Sequence, residues 1–196
     1  TGIIHPSRVL TKKNLQPKNR LVLTKPLGTG IVNTAIKAGM VSADLTDKVT
    51  RLMASLNRDA AEIMSRFDVH ACTDITGFGL IGHLAEMICG SNMSVRIFSE
   101  QVPVIPEALD FAAMGLIPAG AYRNREFRES MTNFAETVER SRQDIMVDPQ
   151  TSGGLLISVG CDKADDLVKA LQDAGMSDTS EIGEIQKDPE EKIWVV

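Results

Sequence analysis

Cys72-Thr73-Asp74-Ile75-Thr76-Gly77-Phe78-Gly79 is the stretch on which the reading of this chain turns. Upstream, Asp68–Thr73 reads as a brief strand. Downstream, Gly77–Cys89 places Leu80, Ile81, Leu84 and Ile88 at helical spacing with their side chains inward. The segment is therefore strand, loop and helix, with Asp74 delivered at the strand's C-terminal end. Thr76 is placed to cap the helix, and the two glycines let a ligand approach the backbone closely. A helix N-terminus attracts anions, so a carboxylate beside it makes sense with phosphate only when Mg²⁺ lies between them. Capping by Asp74 and Thr76 explains the same residues, and on local chemistry alone that simpler role leads.

Working outward, strands and helices alternate irregularly. Arg20–Thr24 is a short strand, Lys25–Gly30 breaks it, and Ile31–Met40 has helical character. Ser42 or Asp44 caps a long amphipathic helix running to Phe67, with Leu45, Val49, Leu52, Met53, Leu56, Ala60, Ile63 and Met64 on one face. Ser94–Phe98 alternates as a strand does, and Pro106–Met114 is a short helix. Residues 115–143 are polar and irregular, hold five Arg, and are the expected mobile region. Gly154–Val159 is a buried strand, and Lys163–Ala174 is a helix stopped by Gly175. Ile182–Ile185 and Lys192–Val196 flank a hairpin turn at Lys187–Glu191. Thr1–Ile4 reads as the middle of a strand, which suggests a fragment of a longer protein. The expected class is α+β: a mixed β-sheet with helices packed on it.

Composition narrows the function classes. The chain has 196 residues, 43% of them hydrophobic, enough for a core without disulfide or metal staples. No apolar run is long enough to span a membrane. Residues 1–43 carry seven Lys or Arg and no Asp or Glu, whereas the whole chain has a net charge of -5. A basic stretch can face phosphates or merely solvent, but an acidic chain with 4% aromatics argues against nucleic acid. Cys72, Cys89 and Cys161 are odd in number and widely spaced, which points to free thiols in a reducing compartment.

Two further segments carry chemical information. Asp148-Pro149-Gln150-Thr151-Ser152-Gly153-Gly154 is a turn whose hydroxyls and glycines suit either a phosphate pocket or, as the leading reading, turn formation alone. Thr24-Lys25-Pro26-Leu27-Gly28-Thr29-Gly30 is a strand-to-helix loop with one Lys, and it lacks the Gly-Lys-Ser/Thr of a Walker A loop. His5, His70 and His83 have no zinc-like spacing, and His83 reads as an ordinary partly buried histidine. Cys72 reads as a packed thiol, not a nucleophile.

Taken together and in order, Leu23–Gly30, Thr73–His83 and Asp148–Leu156 resemble the selenophosphate synthetase family, selenide, water dikinase. The Asp-Ile-Thr-Gly-Phe-Gly form favours it over relatives in the aminoimidazole ribonucleotide synthetase superfamily. Another ATP-using member of that superfamily, or a nucleotide- or partner-binding domain, is the alternative. The resemblance implies ATP and selenide as substrates, Mg²⁺ as cofactor, AMP and phosphate as products, and a cytoplasmic enzyme. It places the end of an N-terminal domain and a connecting strand at residues 1–24, and a C-terminal α+β domain at 25–196. It implies Asp74 as a Mg²⁺ ligand, with Thr76, Gly77 and Gly79 near the phosphates. No catalytic residue is implied within this chain; the catalytic groups and the dimer-forming barrel belong to the N-terminal part. The full enzyme is expected to be a homodimer, and this chain a folded, inactive monomer. Asp74 is expected to be partly exposed and held by nearby backbone N–H groups.

Overall fold

In the computed structural model, which describes residues 5, 6 and 9–196, the chain builds a seven-stranded mixed sheet in the order β2-β5-β1-β6-β3-β7-β4. The strands are β1 (Arg20–Leu23), β2 (Val69–Asp74), β3 (Met93–Ile97), β4 (Thr132–Phe134), β5 (Leu155–Val159), β6 (Ser180–Lys187) and β7 (Ile193–Val195). Helices are α1 (Thr29–Lys37), α2 (Ala43–Ala54), α3 (Arg58–Met64), α4 (Gly79–Ile88), α5 (Pro106–Ala113), α6 (Ala119–Arg128), α7 (Arg140–Val147) and α8 (Ala164–Asp173). Pairing is antiparallel from β2 across to β3 and parallel between β3, β7 and β4. The α+β class with a mixed sheet is thus as expected. The reading of Thr1–Ile4 as a strand lies outside the described residues. Arg20–Leu23, assigned above to the connecting segment, sits between β5 and β6.

Alternation along the central strands explains two cores. Leu21, Leu23, Leu156, Val95 and Ile97 face a large cluster with α1, α2, α4, α5 and α7. Val22, Leu155, Ile157 and Val159 point the other way, against Ala60 and Ile63 of α3 and Leu167 and Leu171 of α8. Successive strand side chains point to opposite faces, so a strand buried along its whole length such as β5 must be covered on both sides. A register shift between Leu21 and Val22 lets Ile182 and Ile185 of β6 share one core.

Three expectations are corrected. The long helix from Ser42 to Phe67 is two helices. Ser42 Oγ does accept from the Leu45 amide at 3.2 Å, but Ser55 is extended and Leu56 is 80% exposed. Leu45 and Val49 belong to one core and Ala60 and Ile63 to the other, so the apparent single stripe serves two faces of the sheet. Residues 115–143 are not irregular: they contain α6, β4 and the start of α7. Their polar side chains bond across elements, with Arg125 on Asp144 at 2.8 Å and over the Phe134 ring, and Arg142 on Ser99 O at 2.9 Å. Such partners leave no apolar period to read. Finally, β6 and β7 form no hairpin, because β3 lies between them. The turn is tied to the start of β3 instead: Ser94 Oγ donates to Asp188 Oδ2 at 2.8 Å, and the Lys192 amide donates to Ser94 Oγ at 2.8 Å.

Candidate functional site at the β2–β5–β1 edge

β5 runs antiparallel to both neighbours, so the end of β2, the start of β5 and the end of β1 meet at one edge of the sheet. Asp74 pairs with Leu155, and Leu23 with Leu156. The three sequence segments therefore converge. The Ile75 amide donates to Gly154 O at 2.9 Å and the Gln150 amide to Thr76 O at 3.0 Å. The Leu155 amide donates to Thr24 Oγ1 at 2.8 Å, while the Thr24 amide donates to Leu155 O at 3.1 Å. Backbones approach so closely that a Cβ on Gly153 would lie 2.2 Å from Ile75 O, and one on Gly154 would lie 2.5 Å from Lys25 N. The glycines serve this docking of the loops.

Asp148-Pro149-Gln150 settles between its two readings on the structural side. Asp148, fully buried, accepts through Oδ2 from the amides of Gly30 at 2.9 Å and Ile31 at 3.2 Å. Gln150 Oε1 accepts from the amides of Gly28 and Thr29 and from Thr29 Oγ1. Together they occupy the N-terminal donors of α1. Burial pushes the pKa of Asp148 up to about 7, against the bonds it accepts from Ile31, Gln150 and Gly30. Lys25 is structural too. Its Nζ donates to Leu52 O at 3.4 Å and Ser55 O at 2.7 Å, at the C-terminal end of α2, and to Ser152 O at 3.0 Å. Burial lowers its pKa.

The other loop remains open. Asp74 is exposed at the end of β2, and among the described residues its carboxylate has no hydrogen-bond or ion partner. The expectation that backbone amides hold it is therefore corrected: the Ile75 amide that follows is taken by Gly154 O. Thr76 caps nothing through its side chain; it bonds His83 Nε2 through both Oγ1 and its amide, each at 3.1 Å. Gly77 is exposed, and its carbonyl accepts from Asn124 Nδ2 at 2.9 Å. Gly79 adopts φ +68, a left-handed conformation in which a Cβ would also lie 2.8 Å from the Val147 carbonyl carbon. Beside the loop lies an open cleft of about 580 Å³ lined by Phe78, Arg123, Asn124, Glu126 and Phe127. Sequence reasoning missed Asn124 and His83 as loop contacts; His83 falls one turn into α4, from where helical side chains lean back over the preceding loop.

Cys72 is no nucleophile. Burial, then the nearby Asp74 charge, pushes its thiol up to about 12. All three cysteines are free. Among the described residues no three His, Cys, Asp or Glu side chains gather as a metal cage, and no helix is long and apolar enough to cross a membrane.

Residues 16–196 match the family model described as AIR synthase related protein, C-terminal domain. The chain belongs to that family. Two curated relatives of this domain, both named selenide, water dikinase, come from Pelobacter propionicus, 57% identical over 195 residues, and Clostridioides difficile, 43% identical over 196 residues. Each match covers 100% of this chain but 56% of the relative, so the chain spans little more than half their length. The fold also matches the hydrogenase maturation protein HypE in complex with ATP, with TM-score 0.61 and 16% identity over 93% of this chain and 47% of that one.

Proposed function

We propose that this AIR synthase related domain is the C-terminal, nucleotide-facing part of an enzyme that makes selenophosphate from selenide, ATP and water, releasing AMP and orthophosphate. The observation that carries the site is Asp74, an exposed carboxylate with no protein partner among the described residues, placed where β2 ends and the Thr76–Gly79 loop opens α4. Its chemistry fits Mg²⁺ in the manner of nucleotide sites, where one or two carboxylates and the phosphates share the ion. When bound, the ion neutralises phosphate charge. Asp74 would hold it, and Thr76, Gly77 and Gly79 would lie along the phosphates. The relatives' names support the reaction, and the ATP complex of a protein of the same fold supports the nucleotide.

The chain's own residues bind and orient; none supplies the chemical step. Cys72 cannot ionise usefully, and Lys25 is committed to three carbonyls. In this reading the chain by itself is a monomer without turnover. The deciding experiment is Asp74→Asn in the full-length enzyme. It keeps the side chain's size and removes the charge, so folding stays within about 0.5 kcal/mol, as for surface changes in general, while Mg²⁺-dependent, selenide-dependent AMP formation collapses. Near-normal AMP formation at ordinary Mg²⁺ concentrations would return Asp74 to a passive strand end. ATP cleavage that ignores selenide but follows another acceptor would point to a different member of the superfamily.

A further inference from the structure

Thr76 is gripped at every backbone and side-chain polar atom. Its carbonyl accepts from the amides of Gln150 and Gly79, each at 3.0 Å, and its amide and hydroxyl both meet His83 Nε2 at 3.1 Å. A backbone amide only donates, so Nε2 is an acceptor and the ring proton resides on Nδ1. Nδ1 faces Glu86 Oε2 at 3.7 Å and has no hydrogen-bond partner among the described residues. The same Glu86 oxygen is held by Lys12 Nζ at 2.7 Å. His83 is 6% exposed, with the Phe78 ring tilted against its imidazole at 5.7 Å between centroids.

We propose that His83 is a positioning residue of the candidate site, whose unprotonated Nε2 anchors Thr76 and so sets the course of the chain from Asp74 to Gly79. A proton on Nε2 would face the Thr76 amide donor with a second donor and release the loop. The charged groups around the ring are Glu86 on α4, Asp74 on β2 and Lys12 from the N-terminal segment, with Arg128 of α6 acting on Glu86. Burial holds the ring's pKa below the ordinary imidazole value, although Glu86 and Asp74 pull the other way. Lys12 counters that pull by pairing with Glu86. The relevance to ligand binding rests on the reading of Asp74–Gly79 as a metal and phosphate loop; the anchoring itself does not.

The test follows the Thr76 amide and the His83 ring nitrogens by NMR in the 196-residue chain, with neither metal nor nucleotide added. At neutral pH Nε2 should be the unprotonated nitrogen. His83→Leu should speed exchange of the Thr76 amide roughly tenfold, the effect of losing one hydrogen bond, while core amides such as Ile157 keep their protection. His83→Gln, whose Oε1 takes the place of Nε2, should restore most of the protection. Lys12→Met should raise the pH at which the ring takes its proton. A proton on Nε2 at neutral pH, unchanged Thr76 exchange in His83→Leu, or equal loosening of all amides would overturn the proposal. If His83→Leu does not fold, the ring titration decides, and a pKa unmoved by Lys12→Met counts against it. A separate Mg²⁺ titration reads the Asp74 assignment, so failure there leaves the Thr76 result standing.

Discussion

Asp148 Oδ2 lies 2.9 Å from the Gly30 amide, so the loop that leaves α7 closes the N-terminus of α1. Two loops at this sheet edge have the glycines and helix start of an anion site. One is already filled by the chain's own carboxylate and by Gln150, which leaves the Asp74–Gly79 loop as the open one.

Asp148→Ala should lower the unfolding free energy by about 2–4 kcal/mol, since it strips buried amides of a partner that several groups share. Asp148→Asn should cost less, because one oxygen remains to accept. The pH dependence separates the two. Burial raises the folded-state pKa from 3.8 to about 7. Stability from this group is therefore complete below about 4 and is lost as pH rises through about 7. Denaturant titrations should show the advantage of the parent protein over the Asp148→Asn variant shrinking across that same window. A constant difference would contradict the burial of an ionisable carboxyl.

Lys25→Met should destabilise by about 1.5–3 kcal/mol, the range for hydrogen bonds involving a charged group. It removes the donor shared by Leu52 O, Ser55 O and Ser152 O while keeping the aliphatic stem. Amide exchange should rise first where α2 gives way to α3, because those carbonyls end α2. Loss confined to the AMP-forming reaction, with unchanged stability, would show instead that Lys25 serves chemistry.

Alkylation separates the three thiols. Iodoacetamide at mildly alkaline pH should label the exposed Cys89 and Cys161 and spare Cys72, whose thiol stays protonated to about 12. Peptide mass spectrometry reads the result. Rapid labelling of Cys72 in folded protein would reopen it as a nucleophile.

Much of this architecture is legible in the sequence, and the exceptions share one cause. The β2-loop-α4 unit, the buried β5, a cap at Ser42 or Asp44 and the glycine stop after α8 follow from local periodicity and turn chemistry, which act within a few residues. The family resemblance of Leu23–Gly30, Thr73–His83 and Asp148–Leu156 was equally readable, because residue order and type are properties of the chain itself. Only the tertiary structure decided what those segments do to one another. The capping of α1 by Asp148 and Gln150 spans 117 to 122 residues of sequence, and the seating of Lys25 on α2 and Ser152 spans 27 to 127. The break at Ser55, the insertion of β3 between β6 and β7, and the turn of His83 onto Thr76 are likewise settled by which surfaces meet. Periodicity reports which side of an element is apolar; it carries no information about which distant donor will satisfy a buried carbonyl or carboxylate, and in this domain those pairings separate the filled loop from the open one.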